Sequence, residues 1–176
     1  CPCHEVVVAP AAVVVLLDPG LAFGTGTHAT TAMCLAWLDA QATVGARGID
    51  FGCGSGILAI AALKLGASHA WCHDIDPQAL LATAQNAQSN GVAAATAICA
   101  SAAELPAGVD VLLANILSGP LCELAECFAS LVRTGGHVIL SGLMTQQEAQ
   151  VTAAYGAWFD TTPIAVRDGW VALHAV

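Results

Sequence analysis

The residues that could do chemistry in this sequence stand at the ends of apolar runs. In the stretch Ile49-Asp50-Phe51-Gly52-Cys53-Gly54-Ser55-Gly56-Ile57-Leu58-Ala59, an acid and three alternate glycines follow one such run. Glycines so spaced let a backbone turn tightly and lie close to a bulky ligand. Asp74 ends the next apolar run, the place where open α/β sheets set an acid against ribose hydroxyls. Asn115 ends a later one, where a carboxamide can accept from an amine and orient its lone pair toward a bound donor. The chemistry these types support is binding of a nucleoside-bearing ligand and presentation of an amine to it.

Several other chemistries lack their residues. The dinucleotide fingerprint needs Gly-x-Gly-x-x-Gly, but the third glycine comes one residue early and Ile57 stands in its place. A nicotinamide oxidoreductase is disfavoured on that ground. The sequence contains neither the P-loop pattern nor the Gly-x-Ser-x-Gly nucleophile elbow. Among the six histidines, His69, His73, His137 and His174 fall in expected strands and read as structural. His28 alone sits in a glycine-rich loop. Cys1-x-Cys3-His4 could form half a metal site, but no second half with suitable spacing follows, so no metal is expected.

Alternating strands and helices must hold these residues in place. Val6–Val8 and Val13–Leu17 suit short entry strands by β-branching. Asp18-Pro19-Gly20 marks a turn, and Leu21 to His28 forms a glycine and threonine loop of the kind that covers ligands. Thr30 or Thr31 is expected to cap a helix through about Leu38. Strands are expected over 48–51, 69–74, 94–99, 109–115 and 137–141. Helices should span 57–65, 77–90, 119–131 and 145–157. Asp76 should cap the second of these, with Pro77 in its first turn. Asp168-Gly169, between the apolar runs 159–166 and 169–176, predicts a closing hairpin. Such alternation implies a mostly parallel sheet with an antiparallel addition, in one domain.

Composition bounds the rest. The 176 residues are 57% apolar, yet charged residues interrupt every run before the ~18 needed to span a membrane. The expectation is a cytoplasmic globular chain without a membrane partner. Four Lys+Arg against thirteen Asp+Glu give a net charge of −9, which repels phosphate backbones and disfavours direct nucleic-acid binding. An acidic surface instead attracts a basic protein or peptide. The eight cysteines are scattered without a Cys-x-x-Cys pair and read as reduced, mostly buried thiols.

Asp50-x-Gly52-x-Gly54-x-Gly56 resembles the first motif of the class I S-adenosylmethionine-dependent methyltransferases. A denser resemblance narrows this. Leu17 to His28 with Thr30-Thr31, Asp50 to Ala67, Asp74 to Ala79, Asn86 with Asn90-Gly91, Ala114 to Leu117, and Ser141-Gly142-Leu143 before Gln147 together resemble the PrmA family. That family methylates the eleventh large-subunit ribosomal protein of bacteria. The resemblance covers about residues 13 to 155 and fades in the closing hairpin. It implies a Rossmann-like class I methyltransferase fold: a seven-stranded, mostly parallel sheet, its last strand antiparallel, with helices on both faces. It also implies S-adenosylmethionine as donor, its contacts mapping onto Thr31, Gly52, Asp74 and Asn115; with Asp50, Gly54 and Gly56 of the first motif these form the expected cofactor-binding set. The acceptors are amino groups, including lysine side chains, of a ribosomal protein, with Asn115 orienting the amine.

Family members carry an N-terminal substrate-recognition domain and linker before this region. The resemblance places residues 1–17 at the linker's end and entry strands, and 1–176 as a single catalytic domain without that recognition domain. Two alternatives accompany the reading: a methyltransferase of the same core acting on another protein or small molecule, and a non-catalytic donor-binding module. The expected transfer is in line to a neutral amine. Loss of the proton from an ordinary lysine costs roughly 4.6 kcal/mol at pH 7, and a nearby sulfonium charge and desolvation lower that cost. No strong catalytic acid or base is therefore required.

Overall fold

A computed structural model describes residues 12–18, 26–41 and 43–176. The strand expected at Val6–Val8, the Cys1, Cys3 and His4 trio, Pro19-Gly20 of the expected turn and the Leu21 to Thr25 part of the loop lie outside the described residues.

Seven strands form one sheet in the order β3-β2-β1-β4-β5-β7-β6. They are β1 (Arg47–Phe51), β2 (His69–His73), β3 (Thr96–Cys99), β4 (Val109–Asn115), β5 (Val132–Met144), β6 (Thr161–Arg167) and β7 (Trp170–Ala175). The five strands β3, β2, β1, β4 and β5 pair in parallel, and β7 runs antiparallel between β5 and β6. This is the sheet expected from the sequence.

Side chains alternate across the strands, so each feeds two cores. Ile49, Phe51, Leu112, Ala114, Val138 and Leu140 pack beneath α4 (Ser118–Glu123), α5 (Ala125–Leu131) and α6 (Glu148–Tyr155). Val111, Leu113 and Ile139 point the other way, onto α1 (Ala29–Ala40) and α2 (Ile57–Lys64). Ala70 and Cys72 continue that face toward α2 and the neighbouring α3 (Pro77–Ser89). Covered on both sides, β4 and the middle of β5 are nearly continuous apolar runs, as buried parallel strands are. Among the described residues the cysteines are all free, and burial pushes the Cys34 thiol up to about 12.

Several expectations are corrected. Helix α1 is capped by His28, not by Thr30 or Thr31: the His28 ring accepts from the Thr30 N–H, and both threonines lie in the first turn. Residues 13–16 form no strand; Leu17 alone makes a single bridge. The helix expected over 119–131 is two, because Leu124 leaves the helical ladder with φ −93° and ψ 0°. The strand expected over 137–141 runs from Val132 to Met144. Its register jumps from Val109↔Val132 to Val111↔His137, and Gly135 (φ 68°) absorbs the extra residues in a bulge. The first turn expected of α6 is a 3₁₀ turn, Thr145–Gln147. The closing hairpin follows its sequence signal: Asp168 (φ 52°) and Gly169 (φ 78°) are both left-handed, as a two-residue type I′ turn requires.

Candidate functional site

In the order 3-2-1-4-5, the chain leaves β1 for α2 on one face and β4 for α4 on the other. The crevice between the carboxyl ends of β1 and β4 is a topological switch point, where open α/β sheets hold ligands. Asp50 to Gly56 leaves β1 there, Asp74 follows β2, and Asn115 ends β4.

The glycine turn is anchored from below. Gly52 and Cys53 both donate to the carbonyl of His73, at 2.7 and 3.1 Å, tying the turn to the end of β2. Gly52, Gly54 and Gly56 have φ of 76°, 54° and 77°, a region closed to most L side chains. A Cβ on Gly52 would collide with the Ile116 side chain, and one on Gly56 would come 2.8 Å from Thr83 Cγ2. The turn therefore packs edge to edge with the loop after β4 and with α3.

Asp74 reaches over this turn. One carboxylate oxygen accepts from the Gly54 N–H at 2.9 Å, and the other accepts from the Asp76 N–H at 2.9 Å. Asp74 is half-buried, and its carboxylate has lone pairs beyond those two bonds. Ile75 beside it is 93% exposed, an apolar surface at the strand's mouth to which composition gave no weight.

Asp50 points inward instead. It is 2% exposed, under the turn, where its carboxylate accepts from the Ala59 N–H at 3.0 Å. Burial pushes its pKa up to about 7 against the pull of that hydrogen bond, and the nearby Asp74 charge adds to the rise.

Asn115 lies across the crevice. Its carboxamide Nδ2 donates to Thr31 Oγ1 at 3.2 Å. Thr31 is buried in the first turn of α1, and its neighbour Thr30 accepts at its carbonyl from Ser141 Oγ, 3.2 Å away. Ser141 is the β5 partner of Asn115 in the sheet register. Gly142 then lets β5 pass directly against the Ile116 backbone, with φ 85° and no room for a Cβ. At the same rim, His28 meets Trp170 edge to face, with ring centroids 5.2 Å apart.

The structure thus brings Gly52, Gly54, Gly56 and Asp74 into one bonded unit. It joins Thr31 to Asn115 in a second unit, which touches the first through Ile116 and Gly52. Asp50 supports the turn from within. Sequence reasoning gave no role to Thr83 and Asn86 of α3, which donate to the carbonyls of Gly54 (3.0 Å) and Ser55 (2.9 Å). Polar residues at i and i+3 in an alanine-rich helix were the available signal. Trp170 was hidden because its only cue, the Asp-Gly turn before it, speaks of the hairpin alone.

The model for the family "Ribosomal protein L11 methyltransferase (PrmA)" matches residues 1–176. A ribosomal protein L11 methyltransferase of Pseudomonas aeruginosa (strain LESB58) is 57% identical over 163 residues, 92% of this chain and 55% of that protein. The chain thus spans about half the length of the curated relatives it matches. The crystal structure of a ribosomal protein L11 methylase from Lactobacillus delbrueckii subsp. bulgaricus superposes with a TM-score of 0.89 at 30% identity, covering 98% of this chain and 90% of that one. Precorrin-6y C5,15-methyltransferase from Geobacter metallireducens GS-15 shares the fold at 16% identity, with a TM-score of 0.73 over 93% of this chain and 97% of that one. The fold is that of the class I methyltransferases, and the chain belongs to the ribosomal protein L11 methyltransferase (PrmA) family.

Proposed function

We propose that this chain is the methyl-transferring domain of an S-adenosylmethionine-dependent protein N-methyltransferase, acting in the cytoplasm on amino groups of ribosomal protein L11, lysine side chains among them. The observation that carries the reading is the meeting of Gly52, Asp74 and Asn115, distant in sequence, at one switch point of a PrmA-family chain. The net charge of −9 favours a basic protein partner over a phosphate backbone.

The residues present fit the donor. Gly52, Gly54 and Gly56 keep side chains out of the turn, so backbone can lie against the amino-acid end. Asp74 offers its remaining lone pairs to ribose hydroxyls, and exposed Ile75 offers an apolar face to the base. Thr31 and Asn115 close the opposite side. Asp50 acts from beneath, holding the first turn of α2 against the glycines. When bound, S-adenosylmethionine supplies a methyl group activated on a sulfonium sulfur.

Asn115 does the orienting. With Nδ2 engaged by Thr31, its Oδ1 is the end left to accept an N–H from the target amine and aim the nitrogen lone pair. Positioning of this kind supplies several kcal/mol of rate acceleration without acid or base chemistry. His28 and Trp170 form the adjoining wall, against which the approaching side chain can lie.

The test is incubation of the full-length natural protein with S-adenosylmethionine and ribosomal protein L11, read by intact mass. Added multiples of a methyl group are expected on L11. Unmodified L11 in the presence of bound donor would overturn the substrate assignment.

A further inference from the structure

Helix α3 is rich in alanine, yet one of its faces is a buried polar stripe. Thr83 and Asn86, with the C-cap residue Asn90 continuing the same face, recur at i, i+3 and i+7 and are 0%, 2% and 9% exposed. Polar side chains so buried are unfavourable unless each is hydrogen-bonded, and here each one is.

The stripe holds two different things. Toward the glycine turn, Thr83 Oγ1 donates to the Gly54 carbonyl and Asn86 Nδ2 to the Ser55 carbonyl. Toward the entry segment, Asn86 Oδ1 accepts from the Asp18 N–H at 3.0 Å. Asn90 Oδ1 accepts from the Leu16 N–H at 2.8 Å, while its Nδ2 donates to the Leu16 carbonyl at 2.6 Å. Asn90 thus pairs with both backbone groups of Leu16, as a neighbouring strand would. Leu17, between the two clamped residues, is 3% exposed and packs with Trp37, Leu38 and Leu58 of α1 and α2. The Asn86 backbone carbonyl accepts from Asn90 Nδ2 at 2.7 Å, which ties the Asn90 carboxamide to the turn of α3 that carries Asn86.

We infer that Asn86 is a positioning residue coupling the arm at residues 16–18 to the donor-binding turn, so that arm docking and donor binding reinforce each other. The inference rests on the donor-site reading above. A carboxamide is planar and rigid, so the oxygen that holds Asp18 and the nitrogen that holds Ser55 cannot move independently. Coupling between two sites is reciprocal: what loosens the arm weakens donor binding, and donor binding tightens the arm. Asn90 is the informative lever, because its side chain touches the arm and α3 but makes no bond to the turn.

The experiment uses S-adenosylhomocysteine as the probe, with calorimetry and amide hydrogen exchange on the full-length protein. In the natural protein the probe is expected to slow exchange at the Leu16 and Asp18 amides about 5-fold or more. Asn90→Ala is expected to weaken probe binding by a similar factor, about 5-fold, at a melting transition that shows it folded. Where that variant does not fold, Asn90→Asp serves, because it keeps the acceptor for the Leu16 N–H and loses the donor. Asn86→Asp, which keeps the acceptor for Asp18 and loses the donor to Ser55, should leave Asp18 exchange unresponsive to the probe. Probe affinity unchanged in the folded Asn90 variant, with arm exchange indifferent to the probe, overturns the coupling alone. Absence of probe binding to the natural protein overturns the donor site and the coupling together.

Discussion

The carboxylate of Asp74 holds the amide of Gly54 at 2.9 Å, so the acid after β2 shapes the glycine turn after β1. One residue therefore serves both the shape of the turn and the proposed ribose contact. Asp74→Asn keeps an acceptor for Gly54 but loses the charge, and Asp74→Ala loses both. S-adenosylhomocysteine affinity, measured by calorimetry, should fall in the order natural, Asn, Ala. The loss of a charge-assisted hydrogen bond puts the Asn variant about 10-fold down. Equal affinity for all three proteins would refute the ribose role.

Asn115 should separate binding from turnover. Asn115→Ala removes the acceptor proposed for the amine and frees Thr31 Oγ1. The expected result is a kcat lower by about 10²-fold, the scale of a misplaced reacting group, with a smaller change in donor affinity. Single-turnover methylation of L11 beside a donor titration checks this. A variant that lost donor affinity and kept its single-turnover rate would make Asn115 a binding residue only.

Gly52 tests the turn itself. Its φ of 76° disfavours a side chain, and a Cβ there would meet Ile116. Gly52→Ala should lower stability by about 1 kcal/mol or more through backbone strain, and should abolish donor binding at concentrations that saturate the natural protein. Thermal melting with and without S-adenosylhomocysteine reads both effects at once.

Asp50 predicts a pH dependence of stability. Its pKa stands at about 7 in the folded chain against 3.8 for the ordinary group. Between those values the native state binds the proton and the unfolded state does not, so the slope of stability against pH is negative. Asp50 therefore costs nothing below about pH 4 and progressively more as pH rises to about 7. Asp50→Asn, which retains an acceptor for the Ala59 N–H, should flatten this part of the curve. Urea midpoints at a series of pH values for the two proteins provide the measurement. A natural protein whose stability rises through that window would contradict the buried, proton-holding state of Asp50.

Much of the fold was legible because its signals are local. The Asp76-Pro77 start of α3 and the Asp168-Gly169 hairpin each depend on a few adjacent residues, and the structure has both where expected. The errors arose where a distant partner overrides local preference. Thr30 and Thr31 are good caps by type, but His28 takes that place, and Thr31 is drawn inward to receive Asn115 from another strand. Val13 to Leu17 is β-branched enough for a strand. Apart from the single bridge at Leu17, its structure is set by Leu16, whose N–H and carbonyl both pair with the Asn90 carboxamide at the end of α3, which no pattern in the segment announces.

By itself, then, the sequence determined the class of ligand and the order of the elements, since glycine spacing, strand ends and turn chemistry are written in neighbouring residues. Tertiary structure decided how those pieces divide the work. Asp50 and Asp74 are the same residue type at the ends of adjacent strands, yet one is turned under the glycines, where desolvation holds its proton, and the other reaches over them to the crevice. Strand alternation and the packing of α2 set that difference, and they exist only once the sheet is assembled.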